Sequence, residues 1–241
     1  MRYRLDLQYD GTHFHGWQIQ QNVPSVQHAI QEKLLVILGE SIDLVGCGRT
    51  DKGVHASQYT AHFDCEKKFD PYRLIHQLNA LLPNTIGIQA CYEVDLDFHS
   101  RFSAKTRSYQ YFIESKKNVF ARDYSWLHPV ELDLTVIENA CEILIKHTEF
   151  KAFCKGIPPL GRYNCKLYSA RFTQKENGYI FEITANRFLR NMVRAIVGTM
   201  IQIGTNKMTL SEFENLLEHG TRADAGKSVP AAGLFLSKIE Y

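Results

Sequence analysis

An α+β fold built from two similar halves is what this chain predicts, and three observations predict it. Apolar and polar residues alternate in segments of strand length. Helical periodicities interrupt those segments. The order strand–helix–strand–strand–helix–strand then occurs twice along the 241 residues. That order is ferredoxin-like, so the expectation is two ferredoxin-like (β-α-β-β-α-β) halves whose strands form a mixed, mainly antiparallel sheet. The halves are expected at residues 1–104 and 105–241. If the two sheets join edge to edge, a ligand cleft falls between them.

The first half begins with a strand. Tyr3, Leu5, Leu7 and Tyr9 share one face and Arg4, Asp6, Gln8 and Asp10 the other, until Asp10-Gly11 breaks the run. Ser25 is a helix N-cap, followed by Val26, Ile30, Leu34 and Ile37 at helical spacing and by Gly39 as the stop. Ile42 to Cys47 reads as a short strand. Residues 55–65 alternate again, with Tyr59, Ala61, Phe63 and Cys65 opposed to Gln58, Thr60, His62 and Asp64. Asp70-Pro71 is a cap followed by proline at the first helical position, opening a helix through Leu74, Leu78 and Leu82. Ile86 to Val94 closes the half as a strand.

The second half opens on a strand carrying Tyr109, Tyr111 and Ile113, followed by a helix from about Leu132 to His147. Segments 164–174 and 178–186 make a hairpin across Asn177-Gly178, with Tyr179, Phe181, Ile183 and Ala185 on one face. Phe188, Leu189, Met192, Val193, Ile196, Val197, Met200 and Ile201 form the stripe of an amphipathic helix. A helix near 209–219 and a short strand at Leu234 to Ile239 complete the chain.

Composition narrows the class. With 44% hydrophobic and 12% aromatic residues the chain can bury a core and is not intrinsically disordered, and 15 Gly and 7 Pro are too few for collagen-like or low-complexity sequence. No apolar run approaches the roughly 20 residues that cross a bilayer. The opening MRYRLDLQYDG alternates instead of forming an apolar signal core, so a cytoplasmic protein with no membrane partner is expected. Cys47, Cys65, Cys91, Cys141, Cys154 and Cys165 form no CxxC pair and read as buried free thiols. His13 and His15 have no evident third ligand, so no metal site is expected.

Charge is balanced overall, 28 basic against 26 acidic residues, but not locally. Between Lys146 and Lys175, Lys146, Lys151, Lys155, Arg162, Lys166, Arg171 and Lys175 oppose Glu149 alone, with Phe150, Phe153, Tyr163, Tyr168 and Phe172 interleaved. Cations neutralise phosphates and aromatic faces stack on bases, so this stretch reads either as a nucleic-acid surface or as a solvated face over core aromatics.

The chemistry is concentrated in Gly46-Cys47-Gly48-Arg49-Thr50-Asp51-Lys52-Gly53-Val54-His55-Ala56. It lacks the Gly-Lys-Ser/Thr of a phosphate loop and the third glycine of a dinucleotide fingerprint. Its glycines permit unusual torsions and close approach. Asp51 lies between Arg49 and Lys52, and neighbouring cations favour the ionised form of a carboxylate, the form that serves as nucleophile or base. The other reading is a turn aspartate capping its own backbone. Tyr109 and Tyr111 can line a cleft floor or lie in the core. Arg187, Asn191 and Arg194, with Arg190 nearby, can be solvated, or one can pair with a buried carboxylate.

Gly48 to Ala56 resembles GRTDxGVHA, the catalytic signature of the tRNA pseudouridine synthase A family. Tyr9-Asp10-Gly11-Thr12 with Gly16-Trp17-Gln18 resembles its opening YDGTxFxGWQ. Phe98 to Ala104 and Arg107 to Tyr111 resemble FHARFSA and RxYxY. Phe188 to Gly198 resembles FLxxMVRxIVG, and Pro230 to Leu236 resembles PAxGLxL. These blocks follow family order along nearly the whole chain. The departures are Lys52 where Ala is frequent and Ser100 where Ala is expected.

The resemblance implies a pseudouridine synthase fold with a central basic cleft and an isomerase converting uridine to pseudouridine at tRNA positions 38, 39 and 40. It implies Asp51 as the catalytic nucleophile or base, Tyr109 as the aromatic contacting the base, Arg194 as the partner of Asp51, and Arg49 as an aid to moving the nucleotide out of the stack. It further implies no metal or organic cofactor, and a homodimer whose two subunits both contact one tRNA. The competing function is a non-catalytic RNA-binding protein on the same fold, which gives no reason for a carboxylate among phosphate-attracting cations.

Overall fold

Capping and apolar spacing define the helices of the computed structural model, which describes residues 1–158 and 161–241. The chain is α+β with mainly antiparallel strand pairing and divides into two compact units, Met1–Lys105 with Phe235–Tyr241, and Thr106–Leu234.

In the first unit the order is β1 (Arg2–Tyr9), α1 (Val26–Leu38), β2 (Val45–Gly46), β3 (His55–Asp64), α2 (Pro71–Leu81) and β4 (Ile86–Val94). β1 pairs antiparallel with both β3 and β4, so Tyr3, Leu5, Leu7 and Tyr9 line the core under the helices. Ser25 caps α1 by accepting from the His28 N–H, and Gly39 ends it at φ 70°, a left-handed position that glycine adopts without a Cβ clash. Asp70 caps α2 ahead of Pro71 in the same way, accepting from Tyr72 N.

Two expectations for this unit change. Only Val45 and Gly46 of the 42–47 segment pair as a strand. Upstream, Gln27 Nε2 donates to Leu44 O at 2.8 Å and Gln31 Nε2 to Ile42 O at 2.6 Å, so helix side chains take carbonyls that a ladder would use. Over residues 59–63 β3 is buried on both faces, Thr60 and His62 included, rather than alternating in and out, while Ser57 and Asp64 stay exposed.

The second unit contains β5 (Thr106–Glu114), β6 (Trp126–Leu127), α3 (Leu134–Lys146), β7 (Leu167–Lys175), β8 (Gly178–Ala185), α4 (Met192–Gly204) and α5 (Leu210–His219). β8 lies between β5 and β7, antiparallel to each. α4 starts at Met192, later than the apolar stripe suggests, because Asn191 takes φ 65° and the Arg190 carbonyl accepts from Lys155 N at 3.0 Å. It is also buried nearly all round. Segment 225–229 covers Gly198 and Thr199. Gly226 N donates to Thr199 Oγ1 at 2.9 Å, and a Cβ on Gly198 would strike the Lys227 carbonyl.

The last strand, β9 (Leu234–Glu240), returns to the first unit and pairs parallel with β3, His55 opposite Phe235 and Ala56 opposite Leu236. All six cysteines are free and buried, as expected. Among the described residues no helix is long and apolar enough to cross a membrane.

Candidate active site

The loop between β2 and β3, residues 47–54, carries Arg49 and Asp51. Arg49 and Lys52 are exposed and Asp51 is half-buried, so a cation stands on either side of a carboxylate that solvent or a ligand can reach. Val54 N donates to Asp51 O at 3.2 Å and Gly53 takes φ 75°, which turns the chain back toward β3.

Segment 9–17 grips this loop from one side. Tyr9 OH and Thr50 Oγ1 lie 2.8 Å apart, and Trp17 N donates to the same Oγ1 at 3.1 Å. Gly53 N donates to Phe14 O at 3.2 Å. Gly16 sits at φ 90° against the Thr50 carbonyl, and Gly11 lies so close to the Val54 carbonyl that neither has room for a Cβ. Tyr59 OH donates to Gly48 O at 2.5 Å, and its ring stacks on Trp17 with centroids 4.0 Å apart. Burial pushes the Tyr59 phenol well above its ordinary pKa, so it remains a donor to that carbonyl.

His55 closes the loop. Its Nδ1 is 3.1 Å from both Gly11 N and Asp10 Oδ1, and its ring stacks on Phe235 at 4.5 Å. Asp10 Oδ1 also accepts from Thr12 N and Thr12 Oγ1. These contacts belong to residues whose functional weight is not readable from periodicity. Only their presence in the motif blocks signals them.

In the second unit, Tyr109 is half-buried on β5, with the Phe188 ring edge-on at 5.1 Å. Tyr111, by contrast, is fully buried and donates to Pro230 O at 2.8 Å. Burial drives its pKa up, with the Arg194 charge opposing that shift. Arg194 lies in the first turn of α4. Its Nε donates to Val229 O at 2.7 Å, and its own carbonyl accepts from Val229 N at 3.2 Å. Asn191 Nδ2 donates to Ser228 Oγ, so segment 228–230 ties the α4 start to the strand bearing both tyrosines. Tyr109, Tyr111 and Arg194 thus gather within this unit, and Arg49 and Asp51 within the other.

The basic stretch divides by residue type. Lys146, Lys151, Lys155, Arg162, Lys166, Arg171 and Lys175 are all exposed, whereas Phe150, Phe153 and Phe172 belong to the core. Tyr168 is the interleaved aromatic that reaches the surface, with Lys166 Nζ 5.5 Å from its ring centroid. Among the described residues no cluster of three or more His, Cys, Asp or Glu is placed to hold a metal ion.

A family model described as tRNA pseudouridine synthase matches residues 7–103 and 140–241, with Tyr109 between the two matched segments. The tRNA pseudouridine synthase A of Parabacteroides distasonis is 40% identical over 241 residues, covering 100% of this chain and 96% of that protein. The Bacteroides fragilis protein of the same name is 40% identical over 242 residues, with 100% and 96% covered. That of Caldicellulosiruptor bescii is 36% identical over 239 residues, with 98% of each covered. The aligned lengths of these relatives take in the Asp51 loop, β5 and α4.

Proposed function

The chain belongs to the tRNA pseudouridine synthase family, and from that premise we propose that it isomerises uridine to pseudouridine at positions 38, 39 and 40 of the tRNA anticodon arm. The observation that carries the reading is the Gly48–Ala56 loop: a reachable carboxylate between two cations, on backbone clamped from one side. A site meant only to hold RNA gains nothing from a carboxylate there, because phosphates and Asp51 repel one another.

The reaction breaks the C1′–N1 bond and forms C1′–C5; C5 releases its proton to solvent and N1 gains one. Both reacting atoms are hidden in a stacked duplex, so the nucleotide is first everted at a cost of a few kcal/mol. Arg49 assists that step by holding displaced phosphate or base edges. Ionised Asp51 attacks the sugar, attacks the ring, or removes a proton, and Arg194 stabilises its charge. Tyr109 gives the detached ring a surface to rest on, an interaction worth about 1–3 kcal/mol. The exposed cations between Lys146 and Lys175 hold the tRNA phosphates, so recognition rests on shape more than on base edges.

The chemistry transfers neither electrons nor phosphoryl groups and calls for no metal or organic cofactor. The working form proposed is a cytoplasmic homodimer with one tRNA touching both subunits. Light scattering checks it, and a monomer in the presence of tRNA counts against the two-subunit grip.

The decisive measurement is tritium release from 5-tritiated uridine in unmodified tRNA. Asp51→Asn is expected to abolish release while tRNA affinity stays within about tenfold, since the substitution removes the reacting group and leaves the phosphate contacts. Release at the unmodified protein's rate removes Asp51 from the mechanism. Mapping the pseudouridines formed tests the three positions.

A further inference from the structure

The isomerase reading leaves segment 9–17 without a task, yet the segment is built around the residue that precedes Asp51. Resting on that reading, we propose that Thr50 is a positioning residue: its hydroxyl, held between the Tyr9 phenol and the Trp17 N–H, fixes the backbone from which Asp51 presents its carboxylate to the everted nucleotide.

The hydroxyl has one proton and two lone pairs. Trp17 N–H takes one lone pair at 3.1 Å, and Tyr9 OH, at 2.8 Å, either donates to the other or accepts the proton. Each partner is immobilised elsewhere. Tyr9 is buried on β1, with its ring near those of Trp17 and Tyr59. The Gly16 and Trp17 carbonyls accept from Val26 N at 3.3 Å and Gln27 N at 3.0 Å, two of the N–H groups that the start of α1 leaves without helical partners. Thr50 Oγ1 is therefore joined to a strand and to a helix terminus at once.

The backbone of the same residue is held as well. Gly16 lies against the Thr50 carbonyl, and a Cβ built there would also come within 3.2 Å of the Asp51 carbonyl carbon. Residue 50 is thus fixed through both its side chain and its main chain, one residue before the one that bears the carboxylate. Lone burial of a threonine does not call for this arrangement, because Thr50 is only half-buried and water could satisfy its hydroxyl. A group that must meet a reacting atom in one geometry does call for it, since misplacement by about 1 Å can cost on the order of 100-fold in rate.

The test uses the full-length chain and tritium release from unmodified tRNA, with kcat, KM and tRNA affinity read separately. Thr50→Val keeps the side-chain shape and deletes the hydroxyl, while Thr50→Ser keeps the hydroxyl. Thr50→Val is expected to lower kcat about 10- to 100-fold with KM and affinity nearly unchanged, and Thr50→Ser to restore most of the rate. Tyr9→Phe is expected to lower kcat less, and its effect is not expected to add to that of Thr50→Val. Full kcat in Thr50→Val, a loss confined to KM, or a serine variant as slow as the valine one each overturn the proposal. If Thr50→Val does not fold, Tyr9→Phe decides: a reduced kcat supports the proposal and an unchanged one overturns it. Asp51→Asn run alongside separates the two levels. An active Asp51→Asn defeats the functional reading, whereas an inactive Asp51→Asn beside a fully active Thr50→Val defeats only the positioning role.

Discussion

His62 shows how far a single side chain can depart from its place in an alternating pattern. The 55–65 alternation puts it on the polar face of β3, yet it is 4% exposed and its Nδ1 lies 2.9 Å from Ser100 Oγ and 3.2 Å from Ser100 N. Ser100 Oγ in turn donates to Val45 O at 2.7 Å, linking His62 to the strand that leads into the Asp51 loop. Burial, then His99 and Arg2, lower the His62 pKa to about 4, against weaker opposing pulls from Asp64 and Asp43. The folded chain thus keeps His62 neutral where the unfolded chain, at the ordinary histidine value of 6.5, takes up a proton. Stability is complete above that unfolded value, falls as pH drops from there toward about 4, and levels off below, an effect of at most about 3 kcal/mol. Urea midpoints for the unmodified chain and His62→Asn, compared at pH 7.5 and pH 5, check this: the variant is expected to lose less on acidification. Equal losses remove His62 from the pH dependence. Nothing near His62 in the sequence announces this environment, because residues 45 and 100 create it from a distance.

Among the elements, caps were the most legible features and partners the least. Ser25, Asp70 and Gly39 each act where their chemistry puts them, because a cap is satisfied by backbone within four residues. The start of α4 and the length of β2 were misread for one common reason. The groups that end them, Lys155 N in one case and Gln27 and Gln31 in the other, come from other elements. Two glycines allow a prediction at this scale. Gly16 and Gly156 both have positive φ, 90° and 83°, but a Cβ meets the Thr50 carbonyl at Gly16 and nothing within 4 Å at Gly156. Gly156→Ala should therefore cost only backbone strain of about 1 kcal/mol. Gly16→Ala should cost about 1–3 kcal/mol more, because the loop must shift, and should depress kcat as Thr50→Val does. Thermal and urea unfolding of the two variants make the comparison. Equal costs mean that the close approach at Gly16 is unimportant.

Across the whole molecule, the candidate site was legible where it is contiguous in sequence. Arg49 and Asp51 fall inside one nine-residue motif, and Tyr109 and Arg194 inside two others. The brace of Tyr9, Trp17 and Tyr59 around Thr50 was not legible, because its members are separated by up to 50 residues and meet only in the fold. A final strand forms at Leu234–Glu240 as its alternation suggests, but its pairing with β3, with Leu236 and Ile239 buried and Phe235 stacked on His55, is a long-range contact that local pattern does not announce. Ile239 N donates to Gln58 Oε1, and Tyr241 OH to Ser100 O. Deleting residues 235–241 is expected to destabilise the first unit by about 3–6 kcal/mol, from two aliphatic side chains alone. Hydrogen exchange should show protection lost in β3 and retained in β7 and β8. Undiminished protection in β3 counts against the pairing.

A unit closed by residues 235–241 cannot finish folding on the ribosome when its first 105 residues emerge. At about 5–20 residues per second, synthesis of residues 106–234 keeps it waiting on the order of 10 s with the His55–Ala56 end of β3 unpaired on one flank. During that interval the nascent chain exposes a bare strand edge beside the loop that will hold Asp51, the kind of edge that chaperones cover and stray strands join. The residue proposed to do the chemistry is translated early, and its surroundings are completed among the last.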